Sequence, residues 1–547
     1  MTTAPSPLWT TRTTEVNMTG TWRSELPNYL NTPSPCHNAC PVNGEIATWI
    51  QEIKGKDYHA AWLTLMENNP FPAIAGRICH HPCETPCNRK EMDEAVAICS
   101  LERFVGDVAL DEKWAIPAAD ITKNEKIAVV GGGPSGLSAA YQLRRRGYAV
   151  TLFEANQQLG GLMRYGIPSY RLAKEVLDGE IKRIVDLGVE IKTGVGEIDE
   201  IAVKKLREEF DAVYLAIGAS RSKKLPSLDY SQPWVMDSAK FLAATNMGES
   251  IKIGDHVVVI GGGSAAMDVA RTARRFDKKV SVLSLEPEAL MPAQREEVVE
   301  AKEEDVTFLD GAMLQSVNAD ASGELELNCI RVEFEPGSVR GQFKITPLEG
   351  TEFKIKANLI VPALGQEVAL DRWASLSSEG TPVVHIDRQH KTSMEGVFAG
   401  GDFASLDRFV TQAVGMGKRA AKDIENYLNK APIVNSAEKL ELPYKAINTH
   451  YQSEARREIQ NAEQLEVRLK SFVEVQRGLS VEQAAVESDR CFSCGNCIFC
   501  DNCYYYCPDM AITKLEKGYE VKTDYCKGCG LCAAECPTGT IMMREEL

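Results

Sequence analysis

The thirty residues Lys126–Ala155, KIAVVGGGPSGLSAAYQLRRRGYAVTLFEA, constrain the fold more than any other stretch. They read as an apolar strand (Ile127 to Val130), a glycine turn, a helix from about Ser135, and a second strand (Ala149 to Phe153) ending in Glu154. The turn carries Gly131, Gly133 and Gly136 in G-x-G-x-x-G register, with Pro134 and Ser135 opening the helix. The first glycine makes the tight turn, the second lets backbone approach a pyrophosphate, and the third lets helix and strand pack closely. The helix N-terminus turns free N–H groups and a positive dipole end toward a diphosphate. Glu154, 18 residues beyond Gly136, stands where an acid holds a ribose hydroxyl. A glycine turn alone is weak evidence. With strand, helix, second strand and acid all in register, it predicts dinucleotide binding.

A chain of 547 residues predicts three or four domains. The net charge of −16 argues against nucleic acid and anionic membrane as partners. No run approaches 18 apolar residues, and MTTAPSPLWTTRTTEV lacks the basic-then-apolar layout of a signal peptide, so a cytoplasmic chain is expected. Seventeen cysteines in such a chain point to metal or redox work rather than a disulfide frame. Six lie between Cys36 and Cys99, ten between Cys491 and Cys536, and Cys329 stands alone.

The last ten carry the most specific spacing. Cys497-x2-Cys500-x2-Cys503-x3-Cys507-Pro508 is followed by Cys526-x2-Cys529-x2-Cys532-x3-Cys536-Pro537. In the bacterial ferredoxin run the fourth cysteine serves the other cluster. Cys497, Cys500, Cys503 and Cys536 are therefore expected to hold one 4Fe-4S cluster, and Cys526, Cys529, Cys532 and Cys507 the other. Cys491 and Cys494 extend the rhythm upstream, as register alternatives or spare thiols.

Near the other end, after an irregular polar arm of about thirty residues, come Cys36-x3-Cys40-Pro41, a helical pattern (Glu45 to Met66), Cys79-x3-Cys83-x3-Cys87 and Cys99. Paired C-x2-C zinc knuckles are absent, and thiolates on short turns between helices suit a four-iron cluster. The residues CHNACP (36–41), ICHHPCETPC (78–87) and VAICSLERF (96–104) resemble the N-terminal domain of the NADPH-dependent glutamate synthase small subunit and the matching part of dihydropyrimidine dehydrogenase. That family holds two four-iron clusters here and has two further cysteines upstream of the one matching Cys36. This chain has Leu30, Asn31, Thr32 and Pro33 there, so the resemblance implies one N-terminal cluster. Its ligands would be Cys40, Cys79 and Cys83, with Cys99 as fourth on grounds of donor softness and Glu102, at the family's position, as the alternative. Cys36 and Cys87 are left over.

The same resemblance continues through Leu159-Gly160-Gly161-Leu162-Met163-Arg164-Tyr165-Gly166, where it implies a glycine pair lying against a flavin, with Leu162 and Arg164 beside it. Gly396-Val-Phe-Ala-Gly-Gly401-Asp402 looks like the group's second FAD fingerprint, and the helix from Thr411, with Gln412 and Ala413 at its start, would point at the cofactor. Between these lies a second dinucleotide fold: His256 to Ile260, then Gly261, Gly263, Ser264, Ala265 and Ala266, a helix (Met267 to Phe276) and a strand (Lys279 to Leu285). Where the family's NADPH users carry Tyr-Arg-Arg, four residues before Met-Pro-Ala, this chain reads Ser284-Leu285-Glu286 before Met291-Pro292-Ala293. Glu286 would accept from a free 2′-hydroxyl and repel a 2′-phosphate, which favours NAD(H) over NADP(H), although Arg271, Arg274 and Arg275 are near enough in sequence to restore phosphate binding. With only Cys329 between 105 and 490 there is no redox dithiol.

These parts predict an α/β chain with two Rossmann-like domains, the second inserted in the first. A helical iron–sulfur domain (1–120) is followed by an FAD domain (121–250 and 386–432) around an NAD(P) domain (251–385). A charged helical linker (433–488), starting a last helix with the capping box Ser480-x-x-Gln483, leads to an α+β two-cluster ferredoxin domain (489–547). The implied function is electron transfer between NAD(P)H and ferredoxin-type clusters through FAD. It would serve a partner subunit such as a 2-oxoacid oxidoreductase, in either direction and with no catalytic acid or base nominated. The alternative is a glutamate synthase small subunit delivering NADPH electrons to a glutamine-using large subunit.

Overall fold

The computed structural model describes residues 18–320, 324–338, 342–378, 380–432 and 440–546. Its centre is a five-stranded parallel sheet in the order Val397–Ala399, Ala212–Leu215, Lys126–Val130, Ala149–Phe153, Glu190–Lys192. The run KIAVV is apolar without alternation because both faces are covered: Ile127 and Val129 enter one core, Ala128 and Val130 the other. The same holds in a second, four-stranded parallel sheet, ordered Leu359–Pro362, His256–Ile260, Lys279–Leu283, Thr307–Leu309. There Val257 and Val259 pack on helices, while Val258 and Ile260 pack on an antiparallel layer built from Ala312–Ala319, Leu325–Pro336, Phe343–Pro347 and Phe353–Ala357.

The second sheet is inserted in the first, because the first sheet's last strand follows the whole of the second in sequence. The crossings differ from the expected 250 and 385. The chain passes over and back through a short ribbon, Arg221–Ser222 paired with Gln366–Glu367. Phe241 and Leu242 already belong to the second core, and Val368, Trp373, Leu376 and Val384 belong to the first. Boundaries placed on loops therefore miss segments whose partners are distant in sequence.

The N-terminal domain stacks the helices Ile46–Lys54, Tyr58–Asn68, Pro72–Ile78 and Ile98–Asp111 on the first core. The supposed irregular arm is, over Glu25–Tyr29, a strand pairing antiparallel with Ile541–Glu545 at the far end of the chain. The supposed helical linker is a second correction. Among its described residues only Leu465–Arg468 and Val481–Asp489 are α-helical. The helix Val481–Asp489 does start on the Ser480–Gln483 capping box. The rest is a strap, several of whose charges meet the N-terminal domain instead of forming a solvated helix face. Glu474 takes Arg77 Nε (2.7 Å) and Arg103 (3.1 Å), and Arg457 pairs with Glu84 (2.6 Å). Buried Glu487 accepts the backbone N–H groups of Ala97 (2.6 Å) and Glu458 (2.8 Å). No described helix is long and apolar enough to cross a membrane.

Candidate functional site

Both glycine turns are built to approach something other than protein. A methyl group at Gly136 would meet Gly131 O at 1.9 Å, so the third glycine is demanded by the turn itself. Gly131 and Gly261 sit at φ +106° and +134°, where L side chains are strained. Gly133 and Gly263 are different: a Cβ there would meet only Gly161 Cα at 3.9 Å in the first case and nothing within 4 Å in the second. The vacant space above each is what a pyrophosphate needs. The helices that follow, Pro134–Arg145 and Ser264–Arg275, have no side-chain cap, whereas Asp57, Asp199 and Asp237 cap helices elsewhere in the chain. Their first N–H groups, with Ser264 and Ala265 in the first turn of the second helix and buried Ala266 in the third-glycine position, remain for an anion. Both turns thus fit a dinucleotide.

The acids behind the two turns occupy equivalent places by different routes. Glu154 follows its strand directly; its Oε2 accepts Gly132 N–H (2.7 Å) and its Oε1 accepts Asn156 N–H (2.8 Å). A Cβ at Gly132 would lie 3.0 Å from that Oε2 and 3.4 Å from Glu154 Cβ. In the second fold the position in register with Glu154 is Ser284, whose Cβ lies 3.4 Å from a Cβ at Gly262, while Glu286 Oε2 lies 3.0 Å from it. Ser284 Oγ donates to Glu286 O (2.8 Å), which holds the bend that brings the carboxylate back. The arginines on the preceding helix do not converge there. Arg271 and Arg275 are buried against Glu304 (2.8 and 2.7 Å), and Arg274 donates to Glu304 O (2.8 Å) and Lys278 O (2.7 Å). That corrects the expectation that they could restore phosphate binding: their guanidiniums are committed at the far end of the helix.

Around the first turn, Gly160 N–H donates to Gly132 O (2.8 Å), and a Cβ on Gly161 would meet Gly133 Cα at 2.8 Å. The second glycine pair therefore rests on the first loop, with Leu162 exposed beside it. Arg164 is buried and donates to Leu159 O and to Asp178, so it braces this loop from within the protein. Ser135 Oγ bonds Tyr214 OH (2.7 Å). Gly401, at φ +64°, brings the strand end carrying Asp402 against Ser135, where a Cβ would come within 2.9 Å of Ser135 Cβ. Burial pushes the Asp402 carboxyl above its ordinary range. Gln412 and Ala413 lie in the first turn of the helix Val410–Leu428, which also begins without a side-chain cap. Cys79 Sγ donates to Thr411 Oγ1 in the same turn (3.5 Å), and His80 stacks on Phe409 at 3.9 Å.

At the C-terminal end each expected cysteine tetrad lines its own cavity. One is walled by Cys507, Cys526, Cys529 and Cys532. The other is walled by Cys497, Cys500, Cys503 and Cys536. The fourth cysteine of each run is thus carried to the other cavity. The loops turn at matching places: Phe499 and Asp501 in the first run, Gly528 and Gly530 in the second, all at φ between +54° and +77°. Among the described residues no three His, Cys, Asp or Glu side chains close on a single-ion site. Four thiolates ringing a cavity suit a cluster better than one zinc, whose sulfur ligands at ~2.3 Å would draw together. The arm strand was not expected here, yet Pro27 lines the first cavity and Tyr29 the second. The buried Tyr29 hydroxyl lies beside Cys503, a donor to one thiol of that tetrad.

In the N-terminal domain Cys40, Cys79 and Cys83 share electrostatic contact. Cys99 is buried with its thiol donating to Ala75 O (3.3 Å) and lying against Cys79. Glu102, held by Asn69 Nδ2 (2.8 Å), faces both Cys40 and Cys79, and burial, with the Cys79 charge, pushes its carboxyl up to about 8.

Comparison with known proteins agrees with this layout. The family described as pyridine nucleotide-disulphide oxidoreductase matches residues 125–419. The dihydropyrimidine dehydrogenase domain II, 4Fe-4S cluster, matches 31–114, and the 4Fe-4S dicluster domain matches 496–540. The beta subunit of NADP(+)-dependent formate dehydrogenase from Moorella thermoacetica is 32% identical over 500 residues, 84% of this chain and 70% of that one. The NAD-dependent dihydropyrimidine dehydrogenase subunit PreT of Escherichia coli is 32% identical over 405 residues, 73% and 92% of the two chains. The NADPH glutamate synthase small chain of Azospirillum brasilense is 29% identical over 435 residues, 74% and 89%.

Proposed function

Because the chain belongs to the pyridine nucleotide-disulphide oxidoreductases, and within them to the glutamate synthase small chain-like FAD and iron–sulfur subunits, we propose that it carries electrons between NADH and its ferredoxin-type clusters on behalf of a separate catalytic partner. A flavin supplies the one chemistry such a chain needs from outside, exchanging an electron pair for single electrons. The protein's own part is placement. Gly131, Gly133, Gly136, Gly160, Gly161 and Asp402 are assigned to the flavin nucleotide, and Gly261, Gly263, Ser264, Ala265 and Glu286 to the nicotinamide nucleotide. The single observation that carries the preference for NADH is the Glu286 carboxylate lying as near to Gly262 as Glu154 lies to Gly132, each Oε2 being 3.0 Å from a Cβ built there. A carboxylate there accepts from a free ribose hydroxyl and opposes a phosphate.

The N-terminal cluster is assigned to Cys40, Cys79, Cys83 and Glu102, with Cys99 supporting Cys79. Glu102 is taken as the fourth ligand in place of Cys99, the one expected from donor softness, because its carboxylate faces both Cys40 and Cys79. The partner is assigned to the ferredoxin end. Cys500 and Cys529 are exposed there, and Phe499, Tyr505 and Met510 give that surface an apolar rim. A ferredoxin domain lying beyond the stretch shared with the glutamate synthase small chain speaks for a different partner, such as a 2-oxoacid oxidoreductase.

Stopped-flow bleaching of the flavin in the anaerobically purified chain tests the reading. NADH is expected to bleach it much faster than NADPH at equal concentration, with the iron–sulfur absorbance falling afterwards. Equal rates would remove the Glu286 argument. No bleaching by either would remove the function.

A further inference from the structure

Apart from Cys99, which supports Cys79, and Cys329, which stands alone in the inserted domain, four cysteines have no place in the three clusters assigned so far: Cys36, Cys87, Cys491 and Cys494. They lie far apart in sequence, yet the fold brings them together. Cys36, Cys87 and Cys491 pack against the same apolar core, and each of the six pairs among the four is in electrostatic contact. None is in a disulfide.

The local structure explains how they are delivered. Cys36 and Cys40 stand at the two ends of one short helix, Pro35–Ala39, so a thiol at each end faces a different neighbour. Cys83 and Cys87 are again four residues apart and divide in the same way: Cys83 sits with Cys40 and Cys79, Cys87 with Cys491 and Cys494. On the other side, the five cysteines spaced by three from 491 to 503 split two and three. Cys497, Cys500 and Cys503 enter the ferredoxin cavity, while Cys491 and Cys494 turn back toward residue 87.

The segment carrying the pair is clamped. Arg89 donates to Arg490 O (3.1 Å), and Arg490 bonds Asp93 (2.9 Å) and Glu487 (2.7 Å). Each of three thiols also has a polar group beside its sulfur: Ser34 Oγ at Cys36 (3.1 Å), Ser493 N–H at Cys491 (3.4 Å) and Asn88 Nδ2 at Cys494 (3.6 Å). Cations are within reach as well, Arg490 beside Cys87 and Lys54 beside Cys491. Donors to sulfur and nearby positive charge are what a negatively charged thiolate cluster requires. As in the ferredoxin cavities, the group does not close on a single-ion site.

We propose that Cys36, Cys87, Cys491 and Cys494 hold a fourth four-iron cluster, assembled from the two ends of the chain and lying between the Cys40–Cys79–Cys83 cluster and the ferredoxin domain. The position follows from the neighbours. Cys83 contacts Cys36, and Gly495, next to Cys494, donates its N–H to Thr538 O (2.8 Å), two residues from Cys536. The cluster takes one electron from one side and gives one to the other, with no net reaction. The proposal deepens the electron-transfer reading above and rests on it for its role, though not for its existence.

The test is iron and acid-labile sulfide analysis of the anaerobically purified full chain, beside the variants C491S/C494S, C36S/C87S and the combined fourfold change. Each is expected to lack about four iron atoms and four sulfides per chain, the fourfold variant losing no more than either pair. Flavin content and its bleaching by NADH should persist, while reduction of the ferredoxin clusters by NADH slows at least tenfold. Unchanged iron in either pair overturns the site, as does one equivalent of zinc in the unmodified chain that both pairs lose. A loss of about two iron atoms overturns the four-iron assignment. If a variant fails to fold, the unmodified chain still decides: Mössbauer and redox-titrated EPR spectra should count about four four-iron clusters, and a count of three overturns the proposal. Loss of flavin bleaching in the unmodified chain, with four clusters present, would strike the function and leave the site standing.

Discussion

Replacing Glu286 by glutamine keeps the shape of the side chain and removes its charge, so it isolates the one feature said to select the nicotinamide. A hydrogen bond to a charged acceptor contributes about 1.5–3 kcal/mol against about 0.5–1.5 for the neutral acceptor that glutamine keeps, so the NADH affinity should fall by about 1 kcal/mol, ~5-fold. For NADPH the sign reverses. A carboxylate about 4 Å from one phosphate charge opposes it by ~4 kcal/mol at an effective dielectric near 20. Glu286 is half-buried at the mouth of its turn, so about half of that, ~2 kcal/mol, is the appropriate share after solvent screening. Together the two changes move the NADH-to-NADPH preference by ~3 kcal/mol, about 150-fold. The assay is the concentration dependence of flavin bleaching by each nucleotide, which separates the dissociation constant from the limiting rate. The limiting rates should stay near wild type, since Glu286 is placed at the ribose end of the nucleotide and not at the ring. Equal losses for both nucleotides, or an unchanged ratio, would refute the reasoning.

Gly133→Ala and Gly263→Ala should fold as well as the parent, because neither methyl meets a protein atom at less than 3.9 Å. The first should be purified with little flavin; the second should keep its flavin and lose only bleaching by NADH. Gly136→Ala, with its methyl 1.9 Å from Gly131 O, should lower thermal stability even without cofactor. Glu102→Ala should remove the N-terminal cluster, measured as about four iron atoms per chain, whereas Cys99→Ser should keep the iron and only shift that cluster's EPR signal. Glu304→Gln leaves Arg275 buried without its counter-charge and Arg271 with Glu300 alone, and should destabilise the inserted domain by about 3–5 kcal/mol. Burial alone would raise the Glu304 carboxyl, but the two guanidiniums hold it below its ordinary range. Its contribution is therefore complete above the unfolded value of about 4.3 and is lost as pH falls through the lower folded value, a dependence the glutamine variant should lack.

The nucleotide folds were legible because their requirements are local. A turn that admits no Cβ and a strand buried on two faces write themselves into consecutive residues, and Lys126–Val130 and His256–Ile260 lie within a residue of where the pattern puts them. The two C-terminal cysteine runs were legible for the same reason, each expected set of four lining one cavity. What was illegible depends on distant partners. EARREIQNAEQLEVRLKSFVEV has a helix-like charge pattern, but its acids and arginines answer Arg77, Glu84 and Arg103 across more than 350 residues, and those pairings hold it extended. ELPNY is short and contains a proline, so nothing in it announces a strand until the last strand lies alongside. Arg271, Arg274 and Arg275 look available as a run, and only Glu304, supplied from beyond the next helix, shows that they are not.

The pairing of the two chain ends also explains an order that the sequence conceals. Along the chain the flavin fold separates the two cysteine-rich regions, which suggests a flavin midway between two sets of clusters. In space the strand Glu25–Tyr29 and the strap from residue 440 onward bring the last domain onto the first, and Gly495 meets Thr538 beside the group at Cys36. The N-terminal domain in turn meets the flavin fold where Cys79 reaches Thr411 and His80 stacks on Phe409. On the proposed assignment, the clusters then form a single file on one side of the flavin, leaving its other side to the inserted nicotinamide domain. A chain arranged this way cannot be divided at its apparent domain boundaries without cost. A ferredoxin domain cut at residue 489 would lose Pro27 and Tyr29 from the walls of its cavities and would carry Cys491 and Cys494 away from Cys36 and Cys87.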